Sequence, residues 1–546
     1  MAFPHSFLPL LFAFILLPSS PLVLSSIDAV VIPLQQSQTL EDMITRACDN
    51  VENRGSCLEN IRSKLENDRY HDTTSILKAA MHNSLNEVRL AMDALSKFTT
   101  LSVSPREQIA IRDCQELLDF SVTELAWSMK EMREMRTTHP TTNPSSEGNL
   151  KAWLSAALSN QDTCLEGFEG TDKRLVSFIK GSLTQVTQLI NNVLKLYVQL
   201  RELPFKPPIN ETSRSDFPSW MTDGDKEMVV SSKPGIGMHV DAIVALDGSG
   251  HYRSIAQAVF AAPSYSNRRY VIYVKKGIYH ENVDMKKKKT NIMLVGDGIG
   301  VTVVTGNRNF MQGWTTFRTA TVAVSGKGFI ARDMTFRNTA GPQNFQAVAL
   351  RVDSDQSAFF RCSMEGYQDT LYAHSLRQFF RECSIYGTID FIFGNGAAVL
   401  QNCRIFTRQP LPQQKVTITA QGRKSPDQGT GFSIQDSYIY ASQPTYLGRP
   451  WKQFSRTVYI NTFMSRMVQP RGWLEWYGDF ALNTLWYGEY RNYGPGASLA
   501  GRIKWPGYHV IRNAPTATYF TVQHFIDGMS WLPSTGIKFS AGLTNR

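Results

Sequence analysis

The sequence predicts an all-α bundle over the first part of the chain and an all-β parallel β-helix over the second. Three observations carry this reading. Apolar residues recur at helical spacing between residues 81 and 197. Short β-branched and aromatic runs then repeat at a period near 20 residues. The charge balance switches between the two regions. Residues 1–233 hold 23 basic and 29 acidic residues, whereas residues 234–546 hold 34 and 18.

Residues 6–24 form a short apolar run that ends in the small residues Ser25 and Ser26. Pro9, Pro18 and Pro21 break it, so it is a poor spanning helix and a fair secretory signal over 1–26. Only His5 supplies a basic group ahead of it. The helical region follows, placed at 38–200. Its stripes are Met81, Leu85, Val88, Met92, Leu95, then Cys114, Leu118, Val122, Leu125, Met129, then Leu183, Val186, Ile190, Val193, Tyr197. Each buries one helix face, and none carries a catalytic cluster. A linker over 201–236 is rich in Pro, Ser and Asn and holds the glycosylation sequon Asn210-Glu211-Thr212.

The β region, 237–546, contains five similar segments: 328–336, 357–365, 377–385, 397–405 and 431–439. Each has an apolar run, two intervening residues, Cys or Asp, then another apolar residue. The matched positions are Asp333, Cys362, Cys383, Cys403 and Asp436, spaced 29, 21, 20 and 33 residues apart. Such a period with insertions fits a solenoid better than a two-sheet sandwich. Equivalent residues of successive coils stack at roughly 4.8 Å. The three cysteines should therefore form a ladder in which one bridge between neighbours is feasible and the third thiol is left over. No Cys-x-x-Cys pair is present, which argues against zinc or thioredoxin chemistry.

The ladder also aligns two carboxylates. Asp369 and Asp390 each lie seven residues after a stacked cysteine. Two carboxylates roughly 5 Å apart share a proton or push one pKa up, which supplies an acid beside a base or nucleophile. In the motif LGRPW, Arg449 and Trp451 would share one strand face, as a carboxylate partner and a sugar-stacking ring. Two solenoid aspartates in turns, a structural ion pair and a core Trp are the plain alternatives. GDGIG (296–300) precedes a strand and is rejected as a nucleotide loop; Lys286 to Lys289 read as a solvated turn. No Gly-x-Ser-x-Gly or His-Glu-x-x-His motif supports a serine triad or a zinc hydrolase. With 42% hydrophobic and 19% charged residues, the chain is neither disordered nor a membrane bundle. Its basic half suits a polyanion, which is an acidic polysaccharide if the chain is exported.

GIYHENV (277–283), NTAGPQNFQAVAL (338–350), GYQDTLY (366–372), GTIDFIFGN (387–395), TAQGR (419–423), LGRPW (447–451) and GWLEW (472–476) closely resemble plant pectin methylesterases. SAALSNQDTC (155–164) and the Cys48/Cys57 and Cys114/Cys164 arrangement resemble the pectin methylesterase inhibitor domain. The resemblance implies a right-handed parallel β-helix esterase behind an all-α four-helix-bundle pro-domain. It implies Asp390 as nucleophile and Asp369 as proton donor, then base. It also implies Gln368 and Gln346 as oxyanion donors, Arg449 holding Asp390, and Trp451 and Thr316 lining the sugar groove. It favours Cys383–Cys403, Cys48–Cys57 and Cys114–Cys164 bridges, and it implies no metal or organic cofactor. The partners it implies are pectin and either the chain's own inhibitor-like pro-domain or separate inhibitor proteins. It implies no nucleic acid, and no membrane once a signal is removed. The expected location is secreted, at the cell wall. Family members with this pro-region usually carry a dibasic processing site between the halves, whereas GDKEMVV (224–230) has a lone Lys226. Cleavage there is expected to be inefficient or displaced. A glycoside hydrolase or lyase on the same solenoid is the first alternative, since retaining glycosidases also place carboxylates roughly 5–5.5 Å apart. A pectin-binding or inhibitory protein is the second.

Overall fold

A computed structural model describes residues 40–66, 72–98, 104–137, 144–201 and 239–544. The expected signal, Asn210 and Lys226 lie outside the described residues. Among the described residues six helices come first: α1 (Leu40–Ala47), α2 (Arg54–Glu66), α3 (Thr73–Phe98), α4 (Pro105–Thr137), α5 (Pro144–Glu166) and α6 (Lys173–Arg201). Helix α3 packs on α4 and α6, and α5 packs on the same two, so the four long helices close a ring. The striped residues Leu85, Val88, Leu118, Leu125, Leu183 and Ile190 fill its centre. Helix α4 starts at a reciprocal cap. Ser104 Oγ accepts from the Glu107 backbone N–H at 3.1 Å, and Glu107 Oε2 accepts from the Ser104 N–H at 3.4 Å. Pro105 fills the first helical position, where no donor is needed. The Cys48–Cys57 bridge ties the end of α1 to α2, and Cys114–Cys164 ties α4 to α5.

The second part is a solenoid. Among the described residues it has three parallel sheets of eleven, seven and eight strands. One coil runs through Ser357–Phe360, Ser363–Glu365 and Leu371–Ala373. The next runs through Arg377–Arg381, Ser384–Gly387 and Ile392–Gly394. Phe359 pairs with Phe380, Met364 with Ile385 and Leu371 with Ile392. Like stacks on like: the Phe359 and Phe380 rings lie 4.8 Å apart and nearly parallel. The corner between the first two strands of each coil is turned by one residue with positive φ. Asp333, Arg361, Glu382, Asn402 and Asp436 occupy it, at φ 49–56°.

That corner corrects the expected alignment. Asp333 and Asp436 stack with Arg361, Glu382 and Asn402, one residue before the cysteines. The true rungs beside Cys362, Cys383 and Cys403 are Met334 and Ser437. Asp is favoured at the corner because its short polar side chain tolerates the left-handed backbone. The expected Cys383–Cys403 bridge is also absent: Cys362, Cys383 and Cys403 are free and buried. Rungs about 4.8 Å apart allow a bridge only where the two side chains turn toward each other. The thiols point at carbonyls instead, Cys383 Sγ at Phe359 O (3.4 Å) and Cys403 Sγ at Phe380 O (3.4 Å).

Candidate active site

The site grows out of two adjacent strands of one sheet. Since Leu371 pairs with Ile392, the residues two places upstream, Asp369 and Asp390, stand on the same rung. The Asp369 N–H donates to Ile389 O at 3.1 Å, which extends the ladder past the strands. Both aspartates have positive φ, 62° and 51°, and both are buried. A left-handed backbone at two non-glycine neighbours costs energy that the ladder on either side must hold.

Asp390 is fully engaged. Arg449 grips it in a fork, with Nε 2.9 Å from Oδ1 and Nη2 2.6 Å from Oδ2. Thr417 Oγ1 donates to Oδ1 at 2.6 Å and accepts the Asp390 N–H at 3.0 Å. Arg449 is itself seated over the Trp476 ring, 4.2 Å from its centroid. Asp369 has a different environment. Burial, and next the charge of Asp390, push its pKa well above the ordinary carboxylate value, while Arg449 pulls the other way. One carboxylate is thus gripped by a guanidinium and a hydroxyl, while burial and that neighbouring charge raise the pKa of the other.

Thr417 escaped the sequence reading. Ile392 pairs with Thr419, so Thr417 is the next rung after Asp369 and Asp390. Extending the ladder by one coil would have found it, but the loop before Val416–Gln421 stretches the interval to 27 residues. Gln346 and Gln368 are half-buried neighbours, joined where the Ala347 N–H donates to Gln368 O at 3.2 Å. Thr316 opens a one-turn 3-10 helix capped by Thr315. Trp451 stands against Phe393 and Tyr372, with centroids 5.9 and 6.5 Å away, and those two rings stack at 4.1 Å. Together these rings make an aromatic wall beside the two aspartates.

The bundle lies on that wall. From α5, Asp162, Thr163 and Glu166 line a small cavity with Tyr372, His374 and Trp451. Glu166 pairs with Lys452 at 2.5 Å and Asp162 with Lys424 at 2.7 Å. Thr163 Oγ1 is 3.0 Å from His374 Nε2, and Asn395 Nδ2 donates to Ser159 Oγ at 2.7 Å. From α4, Asp113 and Glu116 both engage Arg318, Asp113 also accepts from Thr315, and Glu124 accepts from Lys287 at 2.8 Å. The lysine run is therefore a solvated turn only in part, with Lys286 and Lys288 exposed. Lys286 and Lys287 pair with bundle acids, and Lys289 is buried against the Phe260 and Ala262 carbonyls. The acidic partners of Lys286 and Lys287 lie more than 160 residues away, beyond the reach of any local pattern.

Among the described residues no group of His, Cys, Asp and Glu could hold a metal ion, and no helix is long and apolar enough to cross a membrane.

Residues 241–529 match the family model described as pectinesterase, and residues 42–196 match the one described as plant invertase/pectin methylesterase inhibitor. The chain is 60% identical over 531 residues to "Putative pectinesterase/pectinesterase inhibitor 22" of Arabidopsis thaliana, covering 95% of this chain and 97% of the relative. It is 45% identical over 511 residues to "Pectinesterase 2" of Citrus sinensis, covering 91% and 94%. Among solved structures, pectin methylesterase from carrot aligns with 53% identity and a TM-score of 0.56, over 56% of this chain and 99% of that one. The paired aspartates of the solenoid and the helical segment laid over them thus belong to a member of the pectinesterase family, a carboxylic ester hydrolase that carries an inhibitor-type domain ahead of its esterase.

Proposed function

We propose that the chain is a secreted cell-wall pectinesterase in which Asp390 and Asp369 hydrolyse the methyl ester of a galacturonate unit, held latent while its own bundle covers the groove. The observation that carries the chemistry is the asymmetry of the pair: Asp390 gripped by Arg449 and Thr417, Asp369 buried beside it with its pKa raised. Asp390 attacks the ester carbonyl. Gln368 and Gln346 donate to the oxyanion that forms. Asp369 gives its proton to the departing methoxide, which leaves as methanol and leaves an acyl–Asp390 anhydride. Asp369, now a base, takes a proton from water as that water attacks the anhydride carbonyl. The free galacturonate carboxyl leaves, and both aspartates are restored. Trp451 and Thr316 flank the sugar.

Latency is supported by the contacts of α4 and α5 with Arg318, Lys287, Lys424 and Lys452 around the same groove. A separate inhibitor of the same fold would meet the same surface after the bundle leaves. The test is methanol release from methyl-esterified pectin by the full chain, before and after cutting at a protease site inserted in the linker. Methanol with unchanged polymer length, rising after the cut, supports the reading. Shortened polymer would point to a glycosidase or lyase instead.

A further inference from the structure

The eight-stranded sheet of the solenoid carries an aromatic outer face. Along four of its strands, Ser384–Gly387, Arg404–Thr407, Tyr438–Tyr440 and Phe463–Met464, the inward residues are Ile385, Ile405, Ile439 and Met464, all buried in the core. Alternation turns their neighbours outward. Tyr386, Phe406 and Tyr440 stand in one row, with Arg404, Tyr438 and Phe463 in the row beside it. Tyr493, bridged to Phe463, adds a fifth coil. The rings touch in sequence. Tyr386 and Phe406 stack at 4.6 Å, Phe406 and Tyr440 at 5.1 Å, then Tyr440 meets Phe463 at 6.2 Å and Phe463 meets Tyr493 at 5.6 Å. Tyr440 and Tyr493 are 40% and 38% exposed. The solvent face of a sheet is ordinarily polar, and large rings gathered on one mark a contact surface. Among the described residues the bundle's ion pairs to the solenoid reach Lys286, Lys287, Arg318, Lys424 and Lys452, none of which lies on these strands.

We propose that this aromatic face is a second polysaccharide-binding surface, apart from the catalytic groove, for a strand of acidic galacturonan. The choice of polymer rests on the pectinesterase reading above; the choice of a linear polyanion rests on shape and charge. Five coils make a strip about 19 Å long at the rung spacing of a sheet, long and narrow as an extended chain is. Tyrosine offers an apolar ring and a hydroxyl rim, which suits the mixed surface of a sugar. The charge on the face is positive. Glu365, the one acidic residue in the described strands of this sheet, is paired with Arg337 at 2.7 Å. Arg404 is exposed, and Arg408 lies over the Tyr367 and Tyr386 rings at 5.1 and 5.4 Å. Among the described residues neither guanidinium makes an ion pair, so both are open to a carboxylate. Because the bundle's ion pairs fall elsewhere, the strip stays open while the groove is covered. The latent chain is then held on the polymer before it can act on it.

The test is binding of fully de-esterified polygalacturonate to the uncut full chain at low salt, compared with two variants. Tyr440→Ser/Tyr493→Ser should bind about tenfold more weakly for two lost ring contacts, with recovery in Tyr440→Phe/Tyr493→Phe. Arg404→Gln should bind about threefold more weakly and with a shallower dependence on salt. Methanol release from a short methyl-esterified oligomer, measured after the linker is cut, should match the parent in every variant, which separates this face from the groove. Should the double serine variant lose that release, Arg404→Gln decides alone. Equal polygalacturonate binding by parent and variants overturns the proposal. So does a parent chain that sediments at twice its mass and returns to its own mass in the variants, since the face would then join two copies. If the cut parent releases no methanol, the pectinesterase reading fails, and the binding comparison still decides whether the strip holds the polymer.

Discussion

Thr417 holds the Asp390 carboxylate together with Arg449, and it does so twice, through its hydroxyl and through the Asp390 N–H. Thr417→Val keeps the shape and removes both bonds. Methanol release by the cut chain should fall about tenfold to a hundredfold, mostly in kcat, since the anion is then less well placed; an unchanged kcat would show that Arg449 alone positions it. Asp390→Asn should abolish release while pectin binding persists, and Arg449→Lys should slow it because a single ammonium cannot span both oxygens. Asp369 makes the opposite bargain. Its raised pKa means that the folded state holds its proton longer than the unfolded chain does. Its contribution to stability is then present in full below the ordinary carboxylate range and is lost as pH rises through the elevated value. Asp369→Asn should therefore be inactive yet more stable at pH 7, with the gain in denaturation midpoint shrinking as pH falls towards 4. A variant less stable at pH 7 would contradict the like-charge strain.

At the scale of the strand and coil, the stacking rule made the site legible before any coordinates, because equal offsets from Cys362 and Cys383 put Asp369 and Asp390 together. The same rule misplaced Asp333 and Asp436 by one residue. A pattern of apolar runs does not reveal which residue takes the left-handed corner, and Asp and Cys both looked like the punctuating position. Bridge formation was equally hidden, since sequence gives the order of rungs and not the direction of side chains. Gly394 shows how tight this element is. It ends the strand Ile392–Gly394 with φ 123°, and a Cβ there would come within 2.1 Å of the Ala373 carbonyl oxygen and 3.1 Å of the His374 Cα. These are backbone atoms of the neighbouring coil, which cannot step aside. Gly394→Ala should cost at least about 2–3 kcal/mol in denaturant unfolding, by overpacking and by the positive φ. A loss under 0.5 kcal/mol would mean that the coils breathe more freely than their register indicates.

Over the whole molecule the charge switch read from composition became a set of specific pairs, though nothing in the sequence said which acids would meet which lysines. Their burial links the seating of the bundle to pH. Glu124 is raised to about 7 by burial, against the pull of Lys287. Asp113 and Glu166 are raised as well, each chiefly by burial. Such groups favour the docked state in full below about 4.5, the ordinary glutamate value, and their contribution fades as pH rises through the docked value. Glu116 runs the other way. Against the cost of burial, Arg318, Arg351 and Lys286 hold it at about 2, so its contribution is intact above its ordinary value and is lost only in strong acid. His374 is held well below its ordinary 6.5 by burial and by Arg351, so docking is opposed as pH falls past that point. The net slope mixes these terms, but a single substitution isolates one of them. Glu124→Gln keeps a partner for Asn160 and removes the titration. The ratio of activity before and after linker cutting, followed from pH 5 to 7.5, should vary less in Glu124→Gln than in the parent chain. The difference should develop between about pH 4.5 and 7, where the free and docked forms of Glu124 differ in protonation. Parallel profiles would mean that Glu124 keeps the same proton occupancy whether or not the bundle is seated.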